Sequence, residues 1–232
     1  MGQLRENSKT RITRILLVDD HPIVRERIAA IIEAEKGMMV CGQAEDRHEA
    51  LAAIETSRPD LALIDLTLKS SNGLELIKDI HARWPRLLVL VISMHDESLY
   101  AERVLRAGAR GYITKQDATC NILLAIRRVL GGDIYLNEKT ASAIASRVAS
   151  KPQVKNDSIV GLLADRELQV FELTSRGLGT REIAAHLRID VKTVETYRAR
   201  IKEKLNLRSS SELLQFAILW NKTAGGAEES RF

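Results

Sequence analysis

At 232 residues, with 45% hydrophobic and 28% charged side chains, the chain has the balance of a folded protein and length enough for two ordinary domains. Aromatic residues make up only 4%, so the cores must be aliphatic, and a formal net charge of +4 is too small to imply a nucleic-acid partner without regard to its placement. The longest aliphatic run is too short to cross a bilayer and the N-terminus lacks the apolar stretch of a signal peptide, so a cytoplasmic protein with no membrane partner is expected.

The first half alternates short apolar runs with longer amphipathic segments. Arg14–Val18 predicts a strand ending at Asp19 and Asp20, and Pro22–Glu35 predicts a helix with Ile23, Ile28, Ile31 and Ile32 turned inward. A second strand over Met38–Gly42 precedes a helix near His48–Ser57, and a third over Leu61–Ile64 ends at Asp65. A helix over Gly73–Trp84 is stopped by Pro85, Leu87–Ile92 is the fourth strand, and the helix Ser98–Ala107 leads to Gly108. Gly111–Thr114 is the fifth strand, ending at Lys115, before a helix over Ala118–Leu130. Five such strands, each followed by a helix, call for an α/β doubly wound parallel sheet with right-handed crossovers. Cys41 and Cys120 stand in no metal-ligand spacing and read as buried thiols.

The pattern changes after Gly131. A helix is expected over Glu138–Val148, and the polar stretch Ser150–Val160 reads as a linker. Only helical patterns follow: Asp165–Ser175, Thr180–Leu187, Val191–Leu205 and Ser210–Trp220, the last with Ser209 and Glu212 as a possible capping box.

Ligand sites in parallel sheets lie outside the carboxyl ends of the strands. There the order is Asp19-Asp20, Asp65, Ser93 and Lys115. A single Asp at a strand end is usually a turn former, but the joint occurrence on successive strands is different. Three carboxylates brought together repel unless a cation neutralises them, and carboxylate oxygens suit Mg2+. A lysine and a hydroxyl complete a site for a phosphoryl group, with Asp65 on the central strand as the acyl-phosphate former.

Over roughly residues 11–130 the pieces ILLVDDHPIVRERI, LALIDLTL, NGLELI, VISMHDE and AGARGYITK resemble the receiver domains of bacterial response regulators. The resemblance implies a flavodoxin-like sheet of strand order 2-1-3-4-5. It assigns Asp65 as phospho-acceptor, Asp19 and Asp20 with Asp65 as Mg2+ ligands, and the Thr67 backbone carbonyl as a further one. Ser93 becomes the switch hydroxyl, Lys115 the phosphate-facing lysine and Tyr112 the switch aromatic. Leu68-Lys69-Ser70 replaces the family's Met-Pro-Gly, keeping the loop length but not its rigidity. His21 reads as a local packing residue. A phosphoryl group adds about −1.5 to −2 charges at Asp65. Ser93 is then drawn toward it and Tyr112 rotates into the space left, remodelling the face made by the fourth helix, fifth strand and fifth helix.

In the second half, Val194, Ile201, Leu205 and Tyr197 share one helical face, while Lys192, Glu195, Thr196 and Ala199 share another. Lys192–Arg208 holds six basic residues against two acidic ones. Thr180–Leu187, a tight turn and a basic helix capped by Asp190 form a helix-turn-helix layout, whose second helix lies in the major groove. The pieces RELQVFELTSRG, TREIAAHLRI, KTVETYRARIKEKLNL and SSSEL resemble the DNA-binding domain of the NarL/FixJ (LuxR-type) regulators, with Ala164 and Asp190 where Thr and Ser are commoner. By position Lys192, Thr193, Tyr197 and Arg200 should touch phosphates, and Glu195, Thr196 and Ala199, with Arg198, should face base edges. Glu accepts from cytosine N4; Thr and Ala favour a thymine methyl. Leu213, Leu214, Ala217 and Trp220 are expected to form a dimer surface.

The expected organisation is a receiver over 11–132, a linker with a helix over 133–160, an all-α helix-turn-helix domain over 161–222 and a flexible tail over 223–232. The expected function is that of a two-component response regulator: a cognate sensor histidine kinase phosphorylates it, and it binds double-stranded promoter half-sites as a homodimer. The alternative is a receiver acting only through protein contacts. It is not expected to be an enzyme. A phosphohydrolase of the haloacid-dehalogenase type, with an aspartyl intermediate, needs a second Asp two residues beyond the nucleophile as general acid, and that position is Thr67.

Overall fold

The computed structural model describes residues 11–69, 71–95, 97–149 and 161–224, and divides into two compact units between Ala149 and Ser150. The expected linker stretch 150–160, and all of the expected tail but 223 and 224, lie outside the described residues.

In the first unit β1 (Thr13–Val18), β2 (Met38–Ala44) and β3 (Leu61–Ile64) alternate with α1 (Pro22–Glu33) and α2 (Arg47–Ser57). Two short strands, β4 (Thr67–Leu68) and β5 (Ser71–Asn72), precede α3 (Gly73–Arg83); then come β6 (Leu88–Ser93), α4 (Glu97–Ala107), β7 (Gly111–Thr114), α5 (Lys115–Leu130) and α6 (Glu138–Ala149). The main sheet is parallel with order β2-β1-β3-β6-β7, which is the expected 2-1-3-4-5 with the two short strands left out of the count.

Side chains alternate across each strand. Ile15, Leu17, Leu63, Leu90, Ile92 and Ile113 pack with Ile28 and Ile32 of α1 and with Ile122, Ile126 and Val129 of α5. Their neighbours Leu16, Val18, Ala62, Ile64, Val89, Val91 and Tyr112 are buried as well, so both faces are covered, as a parallel sheet requires. Ile23 is the exception to the expected inward set: in the first turn of α1, it is 80% exposed. Neither cysteine is a buried thiol: Cys41 is half-buried on the edge strand β2, Cys120 is exposed on α5, and both are free.

β4 and β5 form a small antiparallel ladder, with Thr67 opposite Asn72 and Leu68 opposite Ser71. The loop after Asp65 therefore acquires order that its composition did not promise. Leu68 is fully buried beneath it, and the Gly73 amide donates to the Leu66 carbonyl at 2.9 Å. A Cβ on Gly73 would lie 2.0 Å from the Asp65 carbonyl oxygen, so only glycine permits this return.

The second unit contains α7 (Asp165–Ser175), α8 (Thr180–Leu187), α9 (Val191–Lys204) and α10 (Ser210–Ala224). The Glu167 carboxylate accepts from the Ala164 amide (2.7 Å) and that of Glu182 from the Gly179 amide (2.7 Å), so the glutamates cap α7 and α8 where Ala and Gly offer no side-chain oxygen. Glu167 also pairs with Lys204 at 2.6 Å, tying α7 to the end of α9. The core holds Leu168, Phe171, Ile183, Leu187, Val194, Ile201, Leu213, Ala217 and Trp220.

Candidate functional site: an acidic pocket and a basic reading helix

Parallel pairing brings the carboxyl ends of β1, β3, β6 and β7 to one edge. Ile64 stands opposite Val18 and Val91, and Ser93 opposite Thr114, so Asp19, Asp65, Ser93 and Lys115 follow within a residue or two of one another's level. Asp19, Asp20 and Asp65 are 3%, 5% and 2% exposed, and ligand atoms of these three and of His21 all lie within 4.8 Å of each other. Lys115 Nζ lies 2.6 Å from both Asp65 Oδ2 and Asp19 Oδ2.

Burial raises the Asp65 pKa above the ordinary carboxylate value; Lys115 opposes the rise and Asp19 adds to it. For Lys115 burial acts downward, yet the charges of Asp65 and Asp19 outweigh it and hold the ammonium above its ordinary range. One ammonium among three buried carboxylates leaves a net negative pocket. Such a donor set, oxygen-rich and under-neutralised, fits a hard divalent cation.

Ser93 is fully buried, its Oγ accepting from the His95 amide at 3.3 Å. Tyr112 is also fully buried, and its hydroxyl donates to the His95 carbonyl at 2.9 Å, so the ring already occupies the inward position that the sequence reasoning reserved for the switched state. The Thr67 amide donates to Asp65 Oδ1 at 3.3 Å, and its hydroxyl lies 2.9 Å from His95 Nε2.

Three features escaped sequence reasoning. His21 is no packing residue: its side chain is 53% exposed, with Nδ1 at 2.7 Å from Asp20 Oδ1 and 3.2 Å from Asp19 Oδ1. His95 joins the loops after β3 and β6, which no spacing in the chain announces. Glu97 is 4% exposed and accepts from the backbone and side-chain nitrogens of Asn137, each at 2.8 Å. Asn137 Oδ1 accepts in turn from the Thr140 amide at 2.7 Å and so caps α6, the helix read as part of a linker, which packs on α4 within the first unit. Beside it the Tyr112 amide donates to the Tyr135 carbonyl at 2.8 Å, extending the edge of β7.

On the helical unit, α9 exposes Lys192, Glu195, Thr196, Ala199 and Arg200, while Thr193, Tyr197 and Arg198 are half-buried. Asp190 stands at the N-cap position, but its side chain makes no capping hydrogen bond. Arg198 turns back to donate to Thr180 Oγ1 at 2.8 Å, and desolvation lowers its pKa. Its guanidinium thus braces α9 against the start of α8. The Ser209 hydroxyl accepts from the Glu212 amide (3.1 Å), whereas Glu212 reaches the Arg208 amide (2.7 Å), so the expected box closes one residue early.

The expected dimer surface requires correction. Leu213 and Ala217 are fully buried and Trp220 is 7% exposed, edge-on to Phe171 at 5.4 Å between ring centroids. A short helical domain needs these side chains for its own core, where α10 packs on α7. Of the four, only Leu214 keeps partial exposure.

Comparison with known proteins bears on both units. The model of the response regulator receiver domain matches residues 15–127, and that of the bacterial regulatory proteins, luxR family, matches residues 161–217. Oxygen regulatory protein NreC of Staphylococcus epidermidis is 32% identical over 210 residues, covering 88% of this chain and 96% of the relative. Its namesake in Staphylococcus aureus is 33% identical over 209 residues, with the same coverage. The crystal structure of a two-component response regulator, LuxR family, from Aurantimonas sp. SI85-9A1 is 35% identical, with a TM-score of 0.55, covering 59% of this chain and 98% of that one. RcsB from Salmonella enterica serovar Typhimurium, bound to promoter P1flhDC in the presence of phosphomimetic BeF3-, shares the fold at 23% identity and a TM-score of 0.60, covering 89% of this chain and 98% of that one.

Proposed function

This chain belongs to the response regulators that join a receiver domain to a luxR-family DNA-binding domain, and on that footing we propose that phosphorylation of Asp65 controls how its helical unit engages promoter DNA. The observation that carries the reading is Lys115 Nζ, 2.6 Å from both Asp65 and Asp19, within a buried cluster of carboxylates. In our assignment the receiver covers 11–132, the connecting segment 133–160 and the DNA-binding domain 161–222.

The donor is a phosphohistidine of a sensor kinase. Its P–N bond breaks as an Asp65 carboxylate oxygen bonds to phosphorus, and Lys115 stays on the incoming oxygens. Asp19, Asp20, Asp65 and the Thr67 carbonyl would hold Mg2+, which when bound neutralises charge on the phosphoryl group. The Ser93 hydroxyl, whose oxygen accepts from the His95 amide, donates a hydrogen bond to a phosphoryl oxygen. Because the His95 carbonyl holds Tyr112, and Glu97 at the first position of α4 holds Asn137, a shift of His95 and the start of α4 is felt at the start of α6. From there the chain runs to the helical unit. No phosphohydrolase activity is assigned, since Thr67 supplies no second acid.

For the output, the exposed basic residues of α9 supply phosphate contacts, and a pair of half-sites read by a homodimer supplies affinity. These basic residues weigh against a module acting through protein contacts alone. No helix among the described residues is long and apolar enough to cross a membrane, and DNA as a target agrees with a cytoplasmic protein.

Acetyl phosphate with Mg2+ should phosphorylate the wild type and tighten its binding to a duplex selected from a randomised library. Asp65→Asn should show neither effect. Acid-labile phosphate retained on that variant would move the acceptor elsewhere.

A further inference from the structure

Within the acidic pocket the two oxygens of Asp19 serve different partners. Oδ2 takes the Lys115 ammonium at 2.6 Å, as does Oδ2 of Asp65. Oδ1 faces His21 instead, accepting from the His21 amide at 2.8 Å and lying 3.2 Å from Nδ1 of the ring. The same Nδ1 is 2.7 Å from Asp20 Oδ1. Two ligand atoms that share one ion at right angles, each about 2.1 Å from it, stand about 3.0 Å apart. The ring nitrogen therefore sits at ligand spacing from two carboxylate oxygens, on the side of Asp19 that Lys115 leaves open. Carboxylates only accept, so without metal it is a proton on Nδ1 that bridges them, and a cation can take that proton's place. The side chain makes no capping bond to α1 and about half of it is open to solvent, so neither helix nor core requires an imidazole here.

We infer that His21 is a metal ligand, and that its imidazole raises the preference of the pocket for late first-row divalent cations such as Co2+, Ni2+ or Zn2+ over Mg2+. This rests on the reading of the carboxylates as a divalent-cation site. Mg2+ takes oxygen and keeps several of its waters, so the ring adds little to its affinity, whereas imidazole nitrogen suits the later metals.

The experiment uses the full chain, stripped of metal by a chelator, with Co2+ and Mg2+ each alone as probes, in the wild type and in His21→Ala. Calorimetry gives the two affinities, and their ratio cancels any damage common to both ions. The ratio of Co2+ to Mg2+ affinity should fall about tenfold or more in His21→Ala. The Co2+-loaded wild type should also show a hyperfine-shifted imidazole signal in its proton NMR spectrum, absent from His21→Ala and removed by excess Mg2+. An unchanged ratio means that His21 at most positions Asp20, and overturns the inference. So does a shifted signal that survives in His21→Ala or that excess Mg2+ leaves in place, since either belongs to another histidine. Should neither ion bind a wild type that circular dichroism shows to be folded, it is the carboxylate site itself that fails, and the inference with it.

Discussion

Asp65 sits under opposed influences: burial and Asp19 push its pKa up, and Lys115 pulls it down, with a net rise. The native state therefore holds the Asp65 proton more tightly than the unfolded chain does. Stability from this group is present below its ordinary pKa of 3.8 and is lost as pH rises through the higher folded value. Metal-free Asp65→Asn is thus expected to resist urea better than the wild type at neutral pH, with the gap closing on acidification toward that ordinary value. A gap that widens on acidification contradicts this. Mg2+ at ten times its Kd should restore about 1.4 kcal/mol to the wild type, and less to the variant. The acids and Lys115 could be found from the chain because each ends a recognisable strand. His95 and Glu97 could not, because their partners Thr67 and Asn137 depend on the course of loops that leave no periodic trace.

Strands and helices differ in how much of their surroundings they announce. The five main strands follow from short, mostly apolar runs, and their order from the resemblance to receiver domains, which the sheet matches. The β4–β5 ladder was not legible, since two-residue strands have no period to detect. On α10 the apolar stripe was legible but not its destination: the same Leu213, Ala217 and Trp220 could face a second chain or α7, and the burial of Trp220 against Phe171 decides for α7. α6 shows the converse, a helix with weak individual claims that is anchored by one residue. Asn137→Ala removes the α6 cap and the side-chain donor to the buried Glu97 carboxylate, leaving only the backbone amide on it, and should cost about 1–3 kcal/mol in urea unfolding. Faster amide exchange at the start of α6, with unchanged phosphorylation of Asp65, is the accompanying signature. Wild-type exchange in α6 would show that the anchor lies elsewhere.

The two units carry separate halves of one function, phosphoryl acceptance in the first and DNA contact in the second. The net charge of +4 conceals this, for the basic excess that matters is concentrated between Lys192 and Arg208. Lys192→Ala should weaken binding across all DNA sequences alike. It should also flatten the dependence of log affinity on log salt by about one per subunit, as loss of a phosphate contact requires. Titrations between low and moderate salt measure that slope; one equal to the wild type's removes Lys192 from the backbone contacts.

Composition and periodicity were enough to establish a parallel sheet, a helical partner and the acids and lysine at the strand ends, because local pattern alone dictates which face of a strand or helix must be buried. Only packing in three dimensions decided that Arg198 braces α8, that Trp220 belongs to the interior and that Glu97 holds Asn137 at the start of α6. Each of those outcomes depends on a neighbour's atoms within hydrogen-bonding or van der Waals reach, and the linear order of residues does not specify such neighbours.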